Sequence, residues 1–256
     1  MARRHSLVPP DEPPFYYGTI QISYEPTREN GRQGPYHRRR GETAKIAHEY
    51  FRFDSPHTVH AFSAEEEYID SETVQGLPVV PFSELAEKYP PSEYAAFVAV
   101  SSTKLNRVRQ DLYERTKENG YSLVSYVSSD AFVWRTAEIG ENAFILENNV
   151  VQHDCTIGDN VVLWSGNHVG HRSRIGDHSF ITSHAVISGF CDVGEFSFIG
   201  VNACIADETS IGNDCIVGAG GVVHRDLKEG KVYVGNPVAP LEKSSYESMG
   251  MERPEE

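Results

Sequence analysis

The chain has 256 residues, of which 39% are hydrophobic, and a formal net charge of −14. Such a length allows two modest domains with ordinary apolar cores. The negative charge argues against nonspecific binding to nucleic acid or to an anionic membrane, because a polyanion would be repelled. The chain has no apolar run that spans a bilayer and no signal-peptide pattern near its start, so we expect a cytoplasmic protein without a membrane partner.

Residues 1–40 are rich in Pro, Arg, Gly and Tyr, show neither the helical nor the strand period, and end in Arg38, Arg39 and Arg40. We expect an atypical, disordered extension here. Only residues 15–22 have the composition of a short strand. They could supply a first strand for the next domain, but the long excursion back to Gly41 argues against it.

Residues 41–126 alternate between helix and strand patterns. The predicted helices cover 42–51, 82–89 and 104–118, and the predicted strands cover 58–62, 77–80, 97–100 and 121–127. This alternation predicts a small parallel sheet with helices on its faces, a Rossmann-like α/β domain.

An aliphatic residue then recurs at every sixth position from Val127 to Val223 without a miss. Six is neither the helical nor the strand period. The residue two positions before each aliphatic is usually small, and glycine often follows the aliphatic, as at Gly158 and Gly200. A triangular prism explains all three features: each hexad forms one face and one corner, three hexads close a coil, and residues eighteen apart stack. We expect this β-helix, with a C-terminal cap, over 127–240, and a disordered tail over 241–256.

Four cysteines fall within the repeats: Cys155, Cys191, Cys204 and Cys215. Three of them occupy the small-residue position, and none shows a metal-binding spacing. We interpret them as free thiols that fill space, with no disulfide framework and no metal site.

The repeat resembles that of the hexapeptide-repeat acyltransferases, which fold as a left-handed parallel β-helix. From about Gly41 to Pro240 the chain is similar to bacterial sugar O- and N-acetyltransferases, the sialic acid O-acetyltransferase and UDP-4-amino-sugar N-acetyltransferase family. The left hand is implied by this resemblance, since ordinary parallel crossovers are right-handed.

The segment from Gly166 to Asp177 resembles the turn that carries the catalytic histidine of this family, which maps that role to His171. There a neutral imidazole takes a proton while a sugar amine or hydroxyl attacks the thioester of acetyl-CoA, and a backbone N–H stabilises the oxyanion. Two positions depart from the family pattern. Arg172 stands where relatives usually have a carboxylate that fixes the imidazole tautomer, and Trp164 stands where aminosugar relatives tend to have Asn.

The same resemblance implies a coenzyme site along the later coils. Gly189 lies one coil beyond His171, and the segments around Gly200–Val201 and Gly218–Ala219 are expected to expose backbone amides to the pantetheine arm. The end of the repeats, with Asn236 and Pro237, resembles the family's closing GNPA signature, here with Val238 inserted before the alanine.

In relatives the N-terminal domain binds the nucleotide of a sugar substrate and opens with an apolar strand and a glycine-rich loop. Here Gly41 continues the loop's tail, but three arginines precede it, so the first strand is predicted to be missing. Candidate nucleotide contacts are Ser63 with Glu66 and its acidic neighbours, and Ser101 at the start of a helix. Trp164 and Arg172 are candidate contacts for the sugar, Arg172 for a carboxylate or phosphate.

The leading hypothesis is therefore an acetyl-CoA-dependent enzyme that acetylates an amine or hydroxyl of a nucleotide-linked sugar for surface glycan assembly, as a homotrimer and without a metal. A second hypothesis is a noncatalytic β-helix scaffold or sugar-nucleotide-binding protein. A γ-class carbonic anhydrase would need three histidines on zinc, and the spacing of His168, His171, His178 and His184 does not provide the family's pattern.

Overall fold

A computed structural model of the chain describes the backbone of residues 18–22 and the complete residues 41–236 and 238–253. Most of the segment 1–40, for which we expect disorder, and the predicted coenzyme contact Pro237 lie outside the described residues.

The N-terminal domain is a five-stranded sheet with helices packed against it. Its strands are β1 (Gly18–Ile22), β2 (Val59–Ala64), β3 (Thr73–Val74), β4 (Leu77–Pro81) and β5 (Tyr94–Val98), and its helices are α1 (Glu42–Asp54), α2 (Leu85–Lys88) and α3 (Arg107–Glu118). The strand order is β3-β4-β2-β1-β5, and only the β3–β4 pair is antiparallel. Short 3₁₀ turns at Glu66–Tyr68 and Phe82–Glu84 complete the domain.

The prediction that the first strand is missing is wrong. β1 lies in the middle of the sheet and pairs in parallel with both β2 and β5. Its sequence, GTIQI, contains three β-branched residues, which favour a strand. It gives the facing edges of β2 and β5 the hydrogen-bond partners that they would otherwise lack. The arginines before Gly41 are not needed for a central strand.

Two smaller differences concern the ends of elements. The third helix begins at Arg107 rather than at residue 104, because Lys104, Leu105 and Asn106 all have positive φ angles of 50°, 50° and 67°. The segment before the repeats is not a continuous strand either: Leu123 makes one bridge to Ala96, and regular pairing begins at Tyr126.

Seventeen two-residue strands follow at six-residue intervals. They are β6 (Tyr126–Val127), β7 (Phe132–Val133), β8 (Glu138–Ile139), β9 (Phe144–Ile145), β10 (Val150–Val151), β11 (Thr156–Ile157), β12 (Val162–Leu163), β13 (His168–Val169), β14 (Arg174–Ile175), β15 (Phe180–Ile181), β16 (Val186–Ile187), β17 (Asp192–Val193), β18 (Phe198–Ile199), β19 (Cys204–Ile205), β20 (Ser210–Ile211), β21 (Ile216–Val217) and β22 (Val222–Val223).

Every third strand pairs in parallel, which gives three flat sheets. One face runs from β7 to β22, a second from β8 to β20, and a third from β6 to β21. From Ile145 to Val223 each aliphatic residue of the six-residue series is at most 2% exposed, so this series fills the axis of the prism. The predicted β-helix is confirmed.

The corners contain a regular series of left-handed residues that the sequence analysis did not identify. Every sixth residue from Asn142 to Gly220 has a positive φ, and Asn, Asp, His and Gly occupy most of these positions, as residues that tolerate this region do. The glycines that follow the aliphatics serve another purpose. A Cβ on Gly200 would lie 2.5 Å from the backbone nitrogen of Ala219, so the glycine is required by the close approach of the next coil.

The prediction of a disordered tail after residue 240 is also wrong. After β23 (Lys231–Val234), strand β24 (Ala239–Ser244) returns antiparallel to it and leads into helix α4 (Ser245–Met249). Ser244 and Glu247 form a capping box at the start of α4. The Tyr246 hydroxyl donates to Asp214 of the prism over 2.7 Å, which anchors the tail to the coils.

Three of the cysteines are buried as predicted, whereas Cys204 is exposed on a face of the prism, and all four thiols are free. Burial raises the pKa of the Cys215 thiol to about 11, so this group is an inert thiol at neutral pH. Within the described ranges, no helix combines the length and apolar character that crossing a membrane requires.

The two domains are joined by an aromatic cluster and by one buried arginine. Phe97 of the α/β domain packs against Phe51 of the same domain and against Phe144 of the prism, with ring centroids 4.9 and 5.3 Å apart. Beside them Arg109 of α3 is 1% exposed. Burial lowers the pKa of Arg109 to about 9, which still leaves it charged at neutral pH.

The acceptors of Arg109 are uncharged oxygens. Its Nε donates to the carbonyl of Asn160, Nη2 to the carbonyls of His178 and Ser179, and Nη1 to the carbonyl of Ser101 and to Asn106 Oδ1, over 2.8 to 3.4 Å. A charged group that is removed from water is tolerated only when its donors are satisfied in this way. Three of these carbonyls belong to the prism.

We expect Arg109→Met to lower the free energy of unfolding by about 3 kcal/mol or more, because it leaves several buried carbonyls without donors. Urea unfolding followed by the fluorescence of Trp164, which packs at the domain interface, would measure the change. The matched control is Arg115→Met on the same helix, where the side chain is 39% exposed and pairs with Glu65 and Asp111. It should cost less than about 1 kcal/mol. Equal losses would contradict the assigned role.

A second prediction concerns pH. His178 stacks on Phe196 at 4.8 Å, and its Nδ1 is 2.9 Å from the Nδ2 donor of Asn160. Burial, followed by the charge of Arg109, lowers the pKa of His178 from 6.5 to about 4. The unfolded chain therefore takes up this proton at a higher pH than the folded one. Its stabilising contribution is complete above pH 6.5 and declines as pH falls toward 4.

We expect His178→Asn to reduce the loss of stability between pH 7 and pH 5 by on the order of 1–2 kcal/mol relative to wild type. Asparagine continues the Asn142–Asn160 ladder and does not titrate. His184→Asn, the same change at an exposed corner, is the control for a general effect of replacing a corner histidine. Parallel pH curves for wild type and His178→Asn would refute the prediction.

Candidate active site

The predicted catalytic residue, His171, lies at the corner that follows β13. His153, His171, Gly189 and Asp207 stack at this corner, one on each successive coil. The His153 and His171 rings are stacked, with centroids 5.4 Å apart and planes 19° from parallel. On the other side a Cβ on Gly189 would lie only 2.6 Å from Cε1 of His171, so Gly189 gives the imidazole its space. Phe190 packs edge-on against the ring at 5.0 Å.

One side chain of the preceding coil binds His171 directly. Gln152 Oε1 accepts a hydrogen bond from the backbone N–H of His171 over 2.9 Å and lies 3.2 Å from its Nδ1. The other ring nitrogen, Nε2, makes no hydrogen bond to any residue in the described ranges. His171 is half-buried, so this nitrogen is available to a bound molecule. Gln152 and Phe190 are each nineteen residues from His171, so neither shares the eighteen-residue stacking that the repeat predicts for its contacts.

Arg172, a predicted sugar contact, is exposed beside the imidazole. Its Nε lies 3.7 Å from Asp154 Oδ2, and its guanidinium lies 5.7 Å from the centre of the Phe190 ring. Asp154 also accepts from His153 Nδ1 at 3.2 Å. The hydrogen bonds from Thr136 and His153, together with the charge of Arg172, lower the pKa of Asp154, which is therefore a carboxylate. Arg172 thus has a local counter-charge as well as a solvent-exposed side.

Trp164, the other predicted sugar contact, lies at a different corner from His171. It follows β12, is half-buried, and packs against the aromatic cluster between the two domains, 6.4 Å from Phe180. Its carbonyl accepts hydrogen bonds from Asn149 and Asn167. Within one chain Trp164 is not part of the His171 corner.

Some of the predicted coenzyme contacts have a backbone N–H that already donates within the protein, and others have one without a partner in the described residues. The amides of Gly200 and Gly218 donate to the carbonyls of Val217 and Tyr233 of the next coil over 2.8 Å, so in each predicted segment this amide is not available to a ligand. The amides of Val201 and Ala219 have no partner in the described parts of the chain, and both residues are exposed. They stack at the corner that follows the third face, and offer two donors in a row to a ligand.

The amide of Gly189 is not free either, since it donates to Asp207 Oδ1 over 2.7 Å. An oxyanion at this point would have to share that hydrogen with the carboxylate. The closing turn places Asn236 on the surface, whereas the inserted Val238 is buried, with its Cγ1 only 2.7 Å from a Cβ built on Gly221. Val238 therefore plugs the end of the prism.

The four predicted nucleotide contacts are dispersed over the α/β domain. Gly41 is the left-handed residue before α1, and Ser101 is half-buried with its hydroxyl 3.2 Å from that of Thr103. Ser63 is fully buried on β2, with no partner for its hydroxyl in the described ranges, so a ligand cannot reach it in this conformation.

Glu66 lies in an open cleft of about 850 Å³. The cleft is lined by Glu65, Glu66, Glu67, Lys104, Arg107, Val108, Asp111 and Arg115. Arg115 pairs with Glu65 at 2.6 Å, and Arg107 pairs with Asp214 of the prism at 2.7 Å. The cleft therefore carries four acidic and three basic side chains, and two of the basic ones are already paired with carboxylates. Among the described residues, no group of three or more His, Cys, Asp or Glu side chains is arranged to hold a metal ion.

Comparison with known proteins defines the class to which this fold and site correspond. The family model for bacterial transferase hexapeptide repeats (six repeats) matches residues 136–171, ending at His171. No match is found among curated proteins. The structure itself resembles many solved ones.

PerB from Caulobacter crescentus, solved in complex with CoA and GDP-perosamine, is 28% identical with a TM-score of 0.72, over 88% of this chain and 97% of that one. The acetyltransferase domain of PglB from Neisseria gonorrhoeae, in complex with acetyl coenzyme A, is 25% identical with a TM-score of 0.71, over 88% and 100%. WeeI from Acinetobacter baumannii, at 20% identity and a TM-score of 0.57, shares the fold.

These similarities confirm the predicted left-handed β-helix behind a Rossmann-like domain and the predicted acyltransferase activity, with the matched hexapeptide repeats at residues 136–171. The chain's particular likeness is to the sugar acetyltransferases, as the sequence predicted.

We expect Gly189→Ala to displace the His171 ring while the prism stays folded, because the added methyl group would overlap the imidazole. A displacement of about 1 Å can cost 10²-fold in a reaction that depends on the histidine. A crystal structure of the variant would show the shift. In a His171→Ala background the same glycine change should alter thermal stability by less than about 0.5 kcal/mol, since the clash is gone. An unmoved ring in the single variant would contradict the prediction.

Proposed function

We propose that the protein transfers the acetyl group of acetyl-CoA to an amine or hydroxyl of a nucleotide-linked sugar in surface glycan biosynthesis, with His171 as the general base. The observation that carries this proposal is the geometry of the His171 corner. A half-exposed imidazole there has one nitrogen occupied by Gln152 and the other free, on a fold shared with sugar acetyltransferases.

The chemistry needs one base and no acyl-enzyme. The acceptor nitrogen or oxygen attacks the thioester carbonyl, and His171 Nε2 takes the proton that the acceptor loses. The tetrahedral intermediate then collapses and expels the CoA thiolate, which the proton held by the imidazole can neutralise. A cysteine nucleophile is unnecessary, which agrees with the burial of Cys155 and Cys191 and with the raised pKa of both thiols, caused by that burial.

For the coenzyme, the free amides of Val201 and Ala219 offer hydrogen-bond donors to the amide groups of pantetheine. Gly189, Gly200 and Gly218 keep the adjoining backbone free of side chains, and Asn236 borders the same end of the prism. PerB was solved with CoA and the PglB domain with acetyl coenzyme A, which supports acetyl-CoA as the cosubstrate here.

For the acceptor, the GDP-perosamine bound to PerB supports a nucleotide-linked sugar. We propose Gly41, Glu66 and Ser101 as nucleotide contacts, with Ser63 supporting them from within the sheet, and Arg172 as a contact for the sugar. Trp164 can contribute only as part of the wall near the α/β domain, or toward a site on another subunit.

We further propose that the protein works as a homotrimer in the cytoplasm, where acetyl-CoA and nucleotide sugars are made. Exposed apolar side chains on one face and its edge support an oligomer: Phe132 is 52% exposed, Val186 41% and Val201 42%.

The test is an assay of CoA release with acetyl-CoA and a panel of GDP-, UDP- and dTDP-linked amino sugars. We expect turnover with at least one acceptor, and a loss of about 10²–10⁴-fold in His171→Ala, the usual contribution of a general base. The exposed His224, replaced by Ala, is the control and should retain wild-type turnover. If wild type and His171→Ala were equally slow with every acceptor, the protein would instead be a binding or scaffold protein.

A further inference from the structure

We infer that Gln152 is a positioning residue of the active site: it holds neutral His171 in the tautomer with hydrogen on Nδ1 and the free electron pair on Nε2. This inference rests on the proposed general-base role of His171. It names the group that takes the place of the carboxylate whose usual position is occupied by Arg172.

The orientation of the Gln152 amide follows from its contact with the backbone. A backbone N–H can only donate, so the atom 2.9 Å from the His171 nitrogen must be an acceptor, the amide oxygen rather than the amide nitrogen. The same oxygen lies 3.2 Å from Nδ1. Because a carbonyl oxygen carries no hydrogen, this second contact is a hydrogen bond only when Nδ1 carries one. In the neutral ring Nε2 is then the basic nitrogen.

The surroundings of the ring favour this single orientation. His153 stacks on one face, Gly189 lies against the ring from the next coil, and Phe190 meets it edge-on at 5.0 Å. A half-turn of the ring would place a carbon instead of Nδ1 against Gln152 and lose the hydrogen bond. Gln152 therefore decides which nitrogen faces a bound acceptor.

The nearby charged groups do not perform this function. Asp154 accepts a hydrogen bond from His153 and pairs with Arg172. Asp207 accepts a hydrogen bond from the backbone N–H of Gly189. Neither carboxylate makes a hydrogen bond to the His171 ring. A neutral amide fixes the tautomer without the attraction for the protonated imidazolium that a carboxylate exerts.

A purely structural role is the competing explanation, because other side chains also accept corner amides. Asn213 Oδ1 accepts the N–H of Glu195 over 2.9 Å at a different corner, without contact to any imidazole. Asn213→Leu is therefore the matched control for Gln152→Met: each change removes one side-chain acceptor from one corner amide and roughly keeps the volume.

The first measurement is the tautomer of His171 in the ligand-free full chain, read by ¹⁵N NMR of histidine-labelled protein at a pH where the ring is neutral. The His171 signals are assigned by their absence in His171→Ala. Wild type and Asn213→Leu should carry the hydrogen on Nδ1, whereas Gln152→Met should show a mixture of tautomers. Hydrogen on Nε2 in wild type, or an unchanged tautomer in Gln152→Met, would overturn the inference.

The second measurement is the pH profile of kcat/KM with acetyl-CoA and the best acceptor of the panel. Gln152→Met should lower kcat about tenfold, the equivalent of about 1.4 kcal/mol, and leave the KM for acetyl-CoA unchanged. Gln152→Glu, which can keep both hydrogen bonds, should restore activity at high pH. Its acidic limb should move up by about one pH unit, because a carboxylate favours the imidazolium.

The two readouts separate the failure of this inference from that of the proposed function. Undiminished activity in His171→Ala would refute the role of His171 as general base. The NMR experiment would still report whether Gln152 sets the tautomer. Conversely, loss of activity in His171→Ala with wild-type kinetics and tautomer in Gln152→Met would refute the role of Gln152 alone. Equal loss of activity in Gln152→Met and Asn213→Leu would also refute it, as a general destabilisation of the corners.

Discussion

The packing of the α/β domain against the prism depends on the guanidinium of Arg109. This group extends from α3 to the prism and donates only to uncharged oxygens. A cation in such a place is stable because its N–H groups meet backbone carbonyls and one amide oxygen, so little hydrogen bonding is lost on leaving water. The same charge acts on its neighbours. Together with burial it keeps His178 neutral, and that neutrality lets the His178 ring accept from the Asn160 amide. The hydrogen bonds along Asn142, Asn160 and His178 and the binding of α3 to the prism through Arg109 therefore depend on each other.

The three corners of the prism have different surroundings although they share one backbone geometry. The corner with Asn142, Asn160 and His178 faces the α/β domain and is used for docking. The corner with His153 and His171 is open and presents an imidazole. The third corner, with Val201 and Ala219, presents unused amides. Because residues eighteen apart stack, each corner builds its own column of side chains, and a six-residue repeat can carry three separate surfaces.

The repeats could be predicted from the sequence because a burial pattern with a fixed period tolerates no slip in register: a single shift would expose residues such as Ile175 or Ile187. The first strand of the α/β domain was harder to predict from the sequence. β1 is short, and the chain between it and α1 is long, so local pattern favoured a missing strand. The C-terminal segment after residue 240 also lacks a local pattern, which favours a prediction of disorder. β24 is exposed at five of its six residues, and it is held by pairing with β23 and by the contact of Tyr246 with Asp214, neither of which leaves a local signature.

The site was predictable to the extent that its contacts follow the coil period. His171, His153 and Gly189 are eighteen apart, so their stacking could be expected from the sequence. Gln152 is nineteen residues before His171, because it directly follows strand β10 on one coil and its side chain reaches the corner of the next. Its side chain is long enough for one oxygen to accept from the corner amide and also to lie 3.2 Å from the ring nitrogen Nδ1. The identity of the residue at this offset, rather than of the residue after the histidine, therefore determines how the imidazole is held when a cation such as Arg172 follows it.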